Sequence, residues 1–490
     1  MATEAKPYDL VVLGGGPAGV IGAGAAAAMG KRVALVDLQH ELGGAGVNTG
    51  TVPSKTLRET ALALSGMRSR NLYGVDLSLR REATVADFLT HERNVRAGLS
   101  AMLSQQLSDQ RADVYLGRGA FVDAHTIRVT PPGPQQQTDP QNPAGVDRLL
   151  SAAYVMIATG SSPLRPAMFP FGSGAYDSDT ILELERLPKT MAVVGAGVIG
   201  CEYACTFRAL GAEVHLIDGR SDLLPYLDRE VSAALMAAMQ RNGIVFHWNE
   251  QVTRCDCQKD SQSSKPGPGL SVALASGQTL VVDEVLVTAG RKSNTASLNL
   301  SAAGVNVGER GLLHVDTHYR TNVPHIYATG DVIGFPALAS TSMEQARLAV
   351  RHAFCADEKT AFAPLLPIGI YTIPEVSMVG DTEEQLQQKN VQYLAGVARY
   401  ADTSRGRIIG DNEGFLKLLF RPGDMRLLGV HVMGELATEV VHIGLMVMLC
   451  NGTGSTFTEA CFNVPTLGML YKSATADALR KAGARGCEGI

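Results

Sequence analysis

The chain reads as two doubly wound α/β domains followed by an α+β domain. Three observations predict this. The motif G-x-G-x-x-G occurs twice, each time between a short apolar run and a helical stretch rich in small and apolar residues. Each copy then leads into a second apolar run closed by an aspartate. After Ala363 the character changes: Phe415 to Phe420 and Arg426 to Val432 alternate like strands of an antiparallel sheet, and Thr438 to Cys450 reads as a helix. With 490 residues the chain has room for about three domains.

The first element, Asp9 to Leu13, is a short buried strand that runs into Gly14-Gly15-Gly16-Pro17-Ala18-Gly19. An Ala-rich helix follows to Gly30, then a strand from Arg32 to Val36 that Asp37 closes. Each glycine has a physical duty here. Gly14 permits the tight turn, Gly16 lets backbone approach a pyrophosphate, and Gly19 allows close helix–strand packing. The helix N-terminus offers unpaired N–H groups to an anion, and an acid about 20 residues on reaches a ribose hydroxyl. The series returns as Met191 to Val194, Gly195-Ala196-Gly197-Val198-Ile199-Gly200, a helix through Leu210, and a strand Glu213 to Ile217 closed by Asp218. Both domains are therefore Rossmann-like. Two fingerprints imply two dinucleotides, and the natural pair is a flavin and a nicotinamide dinucleotide. Pro131 to Arg148 and Asp260 to Gly269, rich in Pro, Gln, Ser and Gly, read as solvated loops between hairpin strands.

Composition narrows the alternatives. Apolar residues at 45% and charged residues at 19% exclude global disorder. A net charge of −5 without a long run of either sign argues against nucleic acid or an anionic membrane as the main partner. Leu10 to Gly30 carries no charge over roughly the 20 residues needed to cross a bilayer, but Pro17 and its glycines make a poor membrane helix. No membrane segment is expected. The stretch from Met1 to Tyr8 lacks a basic run, so no secretory signal is expected and a cytoplasmic location is. The 8 cysteines are scattered, unlike a secreted disulfide framework. Cys201 and Cys205 read as small apolar packing on one helix. Cys255-Asp256-Cys257 is a single C-x-C without histidines, so no metal site is expected.

The order of motifs resembles the flavoprotein disulfide reductase superfamily, which includes dihydrolipoamide dehydrogenase, over nearly the whole chain. The first fingerprint is followed by Gly43 to Lys55 (GGAGVNTGTVPSK) and Ala158 to Pro163 (ATGSSP). After the second come Ala289-Gly290-Arg291 and Ala328-Thr329-Gly330-Asp331. Within the superfamily the chain is most similar to the soluble pyridine nucleotide transhydrogenase branch. The residues that carry this are Thr51 to Glu59 (TVPSKTLRE), Gly330 to Ser340 (GDVIGFPALAS) and Gly369 to Glu375 (GIYTIPE).

The resemblance implies an FAD-binding domain split in sequence, residues 1–160 and 290–363. It implies an NAD(P)-binding domain, 161–289, inserted into it, and a dimerisation domain, 364–490. The protein would be a homodimer in which the partner's C-terminal segment completes the active site. The cofactor-binding set would begin with Gly14, Gly16, Gly19, Asp37, Gly44, Thr51 and Lys55, with Asp37 at the FAD ribose. Thr159, Gly160, Gly290, Arg291, Gly330, Asp331 and Ala339 would continue it, with Asp331 near the ribityl chain and pyrophosphate. Gly195, Gly197, Gly200, Asp218 and Arg220 would complete it at the nicotinamide dinucleotide. Lys55 and Glu202 would form the catalytic pair beside flavin N5, each charge requiring the other if buried. The helix after Asp331 would aim its N-terminus at the flavin and stabilise negative charge there by roughly 0.3–1 kcal/mol or more.

The departures matter as much. Disulfide reductases carry two cysteines in GG-x-C-x-x-x-x-C ahead of Pro-Ser-Lys; Gly46 and Thr51 stand in those places. The transhydrogenase branch has the threonine but usually keeps the first cysteine. Without sulfur at either position no thiolate can attack a disulfide there. Near the C-terminus, reductases use His-Pro-Thr with a following Glu, and the branch has Tyr-Pro-Thr with the Glu. Here Val464-Pro465-Thr466 and Met469 replace them, and neither Val nor Met transfers a proton. Hydride transfer survives these losses. The expected function is an FAD-dependent oxidoreductase passing hydride from NAD(P)H through flavin N5 to another nicotinamide nucleotide. An apolar organic acceptor, such as a quinone or a specialised metabolite, is the alternative, seated against Gly46, Thr51, Val464 and Met469. A flavin-binding pseudoenzyme or redox sensor ranks third. Asp218 suits the 2′-hydroxyl of NAD and Arg220 the 2′-phosphate of NADP, so tolerance of both is expected.

Overall fold

The computed structural model describes residues 7–66, 84–132, 145–259, 266–355 and 365–483. The chain forms two compact units. One comprises Met1–Thr56, Leu89–Leu164 and Gly290–Phe362; the other comprises Leu57–Phe88, Arg165–Ala289 and Ala363–Ile490.

In the first unit, Tyr8–Leu13 lies between Val33–Asp37 and Arg148–Ile157 and runs parallel to both. Ile326–Ala328 adds a further parallel strand beside Arg148–Ile157. These strands are apolar without alternation because both faces of the sheet are covered. Val11, Leu13, Ala34 and Val36 enter one core, while Leu10, Val12, Val33 and Leu35 enter another. The second core also receives Ala18, Val20, Ala23 and Ala26 of the Pro17–Ala28 helix and Ala346, Ala349 and Val350 of the Ala339–Phe354 helix. Proline at the start of the first helix removes a donor that would be unpaired there anyway. The antiparallel strands Arg118–Phe121 and Thr126–Thr130 extend the sheet through the first half of Arg148–Ile157. The uncharged stretch from Leu10 to Gly30 is thus a central strand and the helix packed upon it. Among the described residues no helix is long and apolar enough to cross a membrane.

The second unit repeats the plan. Its parallel sheet orders the strands Ile244–Trp248, Glu213–Asp218, Thr190–Val194, Glu284–Val287 and Ala175–Asp177. A three-stranded antiparallel sheet, Val252–Lys259, Pro266–Leu274 and Thr279–Val282, shares a core with it through Ala192, Ile217, Val272 and Val285. The unit also holds a five-stranded antiparallel sheet in the order Ile368–Ile370, Val376–Gly380, Leu427–Met433, Phe415–Phe420, Leu394–Arg399. Helices Ala437–Leu449 and Met469–Lys481 pack on that sheet.

Local differences from the sequence reading have physical causes. Phe415–Phe420 does not alternate between core and solvent, since all six residues are buried. It is an inner strand covered on both faces, and it tolerates Lys417 because Asp228 takes the ammonium at 2.9 Å. The loop read at Asp260–Gly269 is shorter, because the hairpin strand already begins at Pro266. Residues 260–265 of it, and 133–144 of the loop read at Pro131–Arg148, lie outside the described residues. The helix expected over Thr438 to Cys450 begins at Ala437 and ends at Leu449, one residue earlier at each end.

Candidate active site

The first fingerprint sits at the carboxyl ends of the strands Tyr8–Leu13, Arg148–Ile157 and Ile326–Ala328, where open α/β sheets bind ligands. Gly14 has φ +104° and its backbone passes so close to Ala158 that a Cβ would lie 2.4 Å from the carbonyl oxygen. At Gly19 a Cβ would fall 1.7 Å from the Gly14 carbonyl oxygen, so helix and turn touch there through backbone alone. Gly16 differs. Its φ of −73° suits any residue, and a Cβ would meet only the Gly44 Cα at 4.0 Å. No atom of the described residues requires a glycine at this position; a group lying against it would.

The surrounding polar groups are arranged to match. The Asp37 carboxylate accepts the Gly15 N–H and, at 2.7 Å, the Gln39 N–H. Burial raises its pKa, and those amides offset only part of the effect. Ser161 donates to Asp331 Oδ2 at 2.7 Å, and Arg291 donates through Nε to the Ser161 hydroxyl at 2.8 Å. Gly330 N–H is held by Gln345 at 2.8 Å. The buried hydroxyl oxygens of Thr159 and Thr329 have no hydrogen-bond partner among the described residues, although both stand at the carboxyl ends of adjacent strands. Buried hydroxyls cost free energy unless paired, so this crevice fits a polar ligand. Gly160 and Gly290, both at positive φ, carry the turns beside it, the latter binding the Leu164 N–H at 2.9 Å. Ala339 opens the Ala339–Phe354 helix.

The second fingerprint reproduces the geometry. Gly195 has φ +106°, and a Cβ there would lie 2.7 Å from the Thr288 carbonyl oxygen. A Cβ at Gly200 would lie 1.9 Å from the Gly195 carbonyl oxygen, while Gly197, at φ −76°, has nothing within 4 Å. Asp218 accepts the Ala196 N–H at 2.6 Å and grips the Arg220 guanidinium twice, at 2.9 and 2.7 Å. Burial alone would raise the Asp218 pKa; the Arg220 contacts and two backbone amides outweigh it and hold the carboxyl below its usual value.

Lys55 belongs to the first unit and Glu202 to the second. Lys55, half-buried in the Thr51–Ser65 helix, has its Nζ 3.2 Å from the Ser54 hydroxyl. Glu202, 5% exposed on the second fingerprint helix, accepts the Tyr371 N–H at 2.9 Å. Gly46 and Thr51, where the resemblance to reductases would place sulfur, are respectively buried in the π-helical turn Ala45–Thr49 and exposed at the start of the next helix. A Cβ at Gly46 would lie 2.4 Å from the Pro17 ring, so the turn is packed against the first fingerprint helix without room for a side chain. Gly44, at φ +48°, approaches Gly16 in the same way. Val464 is 70% exposed and Met469 half-buried. Cys201 and Cys205 are buried; burial pushes the Cys205 thiol up to about 12 and Cys201 well above its usual value, so both are neutral. Cys255, buried with Cys257 beside it in one core, is pushed up to about 11.

Sequence reasoning missed the charges that brace this region. Arg58 and Glu375 were legible only as letters of two motifs, and Lys417 only as part of a stretch read as alternating. Their buried state depends on partners far away in sequence.

The chain belongs to the pyridine nucleotide-disulphide oxidoreductase family, which it matches over residues 8–353, with the family's dimerisation domain over residues 366–474. It is an FAD-dependent NAD(P)H oxidoreductase. A soluble pyridine nucleotide transhydrogenase of Mycobacterium bovis BCG is 44% identical over 477 residues, covering 97% of this chain and 98% of that one. Enzymes of the same name from Pseudomonas putida and Pectobacterium atrosepticum are 38% and 37% identical, each over 97% of this chain and 98% of theirs. Among solved structures, LpdA from Mycobacterium tuberculosis superposes with a TM-score of 0.85 at 26% identity, covering 96% of this chain and 99% of that one. The HOCl-induced flavoprotein disulfide reductase RclA from Escherichia coli gives 0.83, also at 26% identity, with the same coverage.

Proposed function

We propose that the chain is a nicotinamide nucleotide transhydrogenase, in which one NAD(P)H is oxidised and a second nicotinamide nucleotide is reduced without a protein thiol in the path. One observation supports the reading: both fingerprint turns keep the backbone geometry a dinucleotide would need, while glycine and threonine stand where the resemblance would place sulfur. FAD, when bound, supplies an atom that can take up a hydride and release it again. The chain's residues do the rest. Gly14, Gly16 and Gly19 admit the FAD pyrophosphate to the helix N-terminus, Asp37 takes its ribose, and Asp331, Thr159 and Thr329 meet its polar middle. Lys55 of the first unit and Glu202 of the second are the residues proposed to act in hydride transfer.

In the second cradle Asp218 suits a ribose 2′-hydroxyl, and Arg220 can turn from it to a 2′-phosphate. The domain limits proposed are 1–160 with 290–363 for FAD, 161–289 for NAD(P) and 364–490 for dimerisation. The matched dimerisation domain supports a homodimer, in which the partner's C-terminal segment completes each site in the cytoplasm. The exposure of Val464 favours a second reading, an apolar organic acceptor reaching the flavin past that segment.

Anaerobic stopped-flow tests both. NADH or NADPH should bleach the flavin band, and an oxidised nicotinamide analogue should restore it faster than any quinone of a panel. Faster recovery with a quinone would replace the transhydrogenase reading by the second. Absence of bleaching with either nucleotide would leave a flavin-binding protein without turnover.

A further inference from the structure

We propose that the buried Arg58–Glu375 ion pair is a positioning device for the hydride site, fixing the Tyr371–Glu375 loop whose backbone holds Glu202. The inference rests on the proposed role of Glu202.

Two motifs read from the sequence, TLRE at Thr56–Glu59 and YTIPE at Tyr371–Glu375, have no part in either dinucleotide cradle. In the fold they meet. The side chains of Arg58 and Glu375 are 2% and 6% exposed, and Arg58 Nη1 lies 3.1 Å from Glu375 Oε1. Arg58 Nε donates to the Thr372 carbonyl at 3.1 Å, while Nη1 also reaches the more exposed Glu59 at 2.7 Å. The other Glu375 oxygen accepts the Thr438 hydroxyl at 2.9 Å and the Thr438 N–H at 3.3 Å. The loop closes on the fingerprint helix: Tyr371 N–H donates to Glu202 Oε1 at 2.9 Å, and the Ile373 carbonyl receives Cys205 Sγ at 4.0 Å and Asn242 Nδ2 at 3.3 Å.

A buried carboxylate such as Glu202 needs donors, and a backbone N–H is a donor that cannot rotate away. Its place is the place of its loop, and the loop is pinned by charge. Stability alone does not account for such a pin, since a buried ion pair is often matched or bettered by apolar packing. Geometry does account for it. Arg58 follows Lys55 by one turn in the Thr51–Ser65 helix, so its anchor also bears on the helix that carries Lys55.

Glu375→Gln in the FAD-loaded protein tests this. The limiting rate of flavin reduction by NADH and NADPH should fall about tenfold, within the range that misplacement of about 1 Å can produce. FAD content should be unchanged, and nucleotide dissociation constants should stay within about twofold. A folded, FAD-loaded variant with the wild-type limiting rate overturns the proposal, as does a change in nucleotide affinity alone. Should Glu375→Gln not fold, Thr438→Val decides: it leaves both charges and removes one hydroxyl, and a wild-type limiting rate there is equally fatal. Glu202→Gln is measured alongside. If it reduces flavin as fast as wild type, the role of Glu202 falls, and this inference with it. If Glu202→Gln is slow but Glu375→Gln is not, only the inference falls.

Discussion

Within each fingerprint the three glycines should respond to alanine in opposite ways, and Gly197 gives the sharpest case. Its φ of −76° and ψ of −178° are ordinary for alanine, and a Cβ would meet nothing within 4 Å. The protein therefore pays no steric cost, and loss of chain freedom in the unfolded state should stabilise Gly197→Ala by about 0.4–1 kcal/mol. The methyl would instead occupy space proposed for a nucleotide pyrophosphate. A tenfold to hundredfold weaker nucleotide Kd, about 1.4–2.8 kcal/mol, is expected. Gly200→Ala should do the reverse. Its Cβ would lie 1.9 Å from the Gly195 carbonyl oxygen, so helix and turn must separate, at a cost of about 1–3 kcal/mol or more. Thermal unfolding without nucleotide, paired with calorimetric titration of NADH and NADPH, reads both quantities. Gly16→Ala should behave in the same way toward FAD, provided unfolding is compared in the FAD-free protein, because bound FAD itself raises Tm. Wild-type nucleotide affinity in Gly197→Ala, or destabilisation equal to that of Gly200→Ala, would refute the division of labour among the glycines.

Other outcomes follow from the charges and the packing. Arg220→Ala should weaken NADPH binding about tenfold and tighten NADH binding slightly, as calorimetry would show. It should also move acid unfolding to higher pH. Asp218 has a lowered folded pKa, so its stabilisation is full above its unfolded value near 3.9 and is lost as pH falls through the folded value. Without the guanidinium that loss comes earlier, and the single tryptophan, Trp248, paired in register with Asp218, reports it by fluorescence. Lys417→Met should destabilise by about 3–5 kcal/mol in denaturant titration, because it leaves Asp228 buried without its cation; adding Asp228→Asn should recover part of that. Gly46→Cys should cost about 1–3 kcal/mol in the same assay, since its Cβ meets the Pro17 ring at 2.4 Å.

What could be read from the chain was local, and what could not was distant. A tight turn, a close helix–strand contact and an acid after the second strand are all written within one βαβ unit, so both cradles were legible. Phe415–Phe420 misled because Lys417 breaks an apolar run in the way a surface strand does, while the carboxylate that buries it, Asp228, belongs to a helix cap far away in sequence. Arg58 and Glu375 escaped for the same reason. Gly46 shows the remaining gap: its letter reveals a missing thiol, but only the contact with Pro17 reveals that the backbone has closed over the place.

The two cradles look alike as motifs but differ in charge, and the difference bears on what each must do. Among the described residues Asp37 has only backbone amides as donors, and burial raises its pKa. Asp218 has comparable amides plus a bidentate arginine that lowers it. A ligand at Asp37 contributes a neutral hydroxyl to a carboxylate short of donors, which favours retention. A nucleotide at Asp218 must instead share or break existing arginine contacts, so part of its binding free energy is offset at once. A transhydrogenase needs this asymmetry: FAD must stay while nicotinamide nucleotides come and go in both oxidation states. In the role proposed for it, Arg220 would weaken the ground-state hold on NAD(H) and offer NADP(H) a phosphate partner, bringing the two substrates of one site closer in affinity.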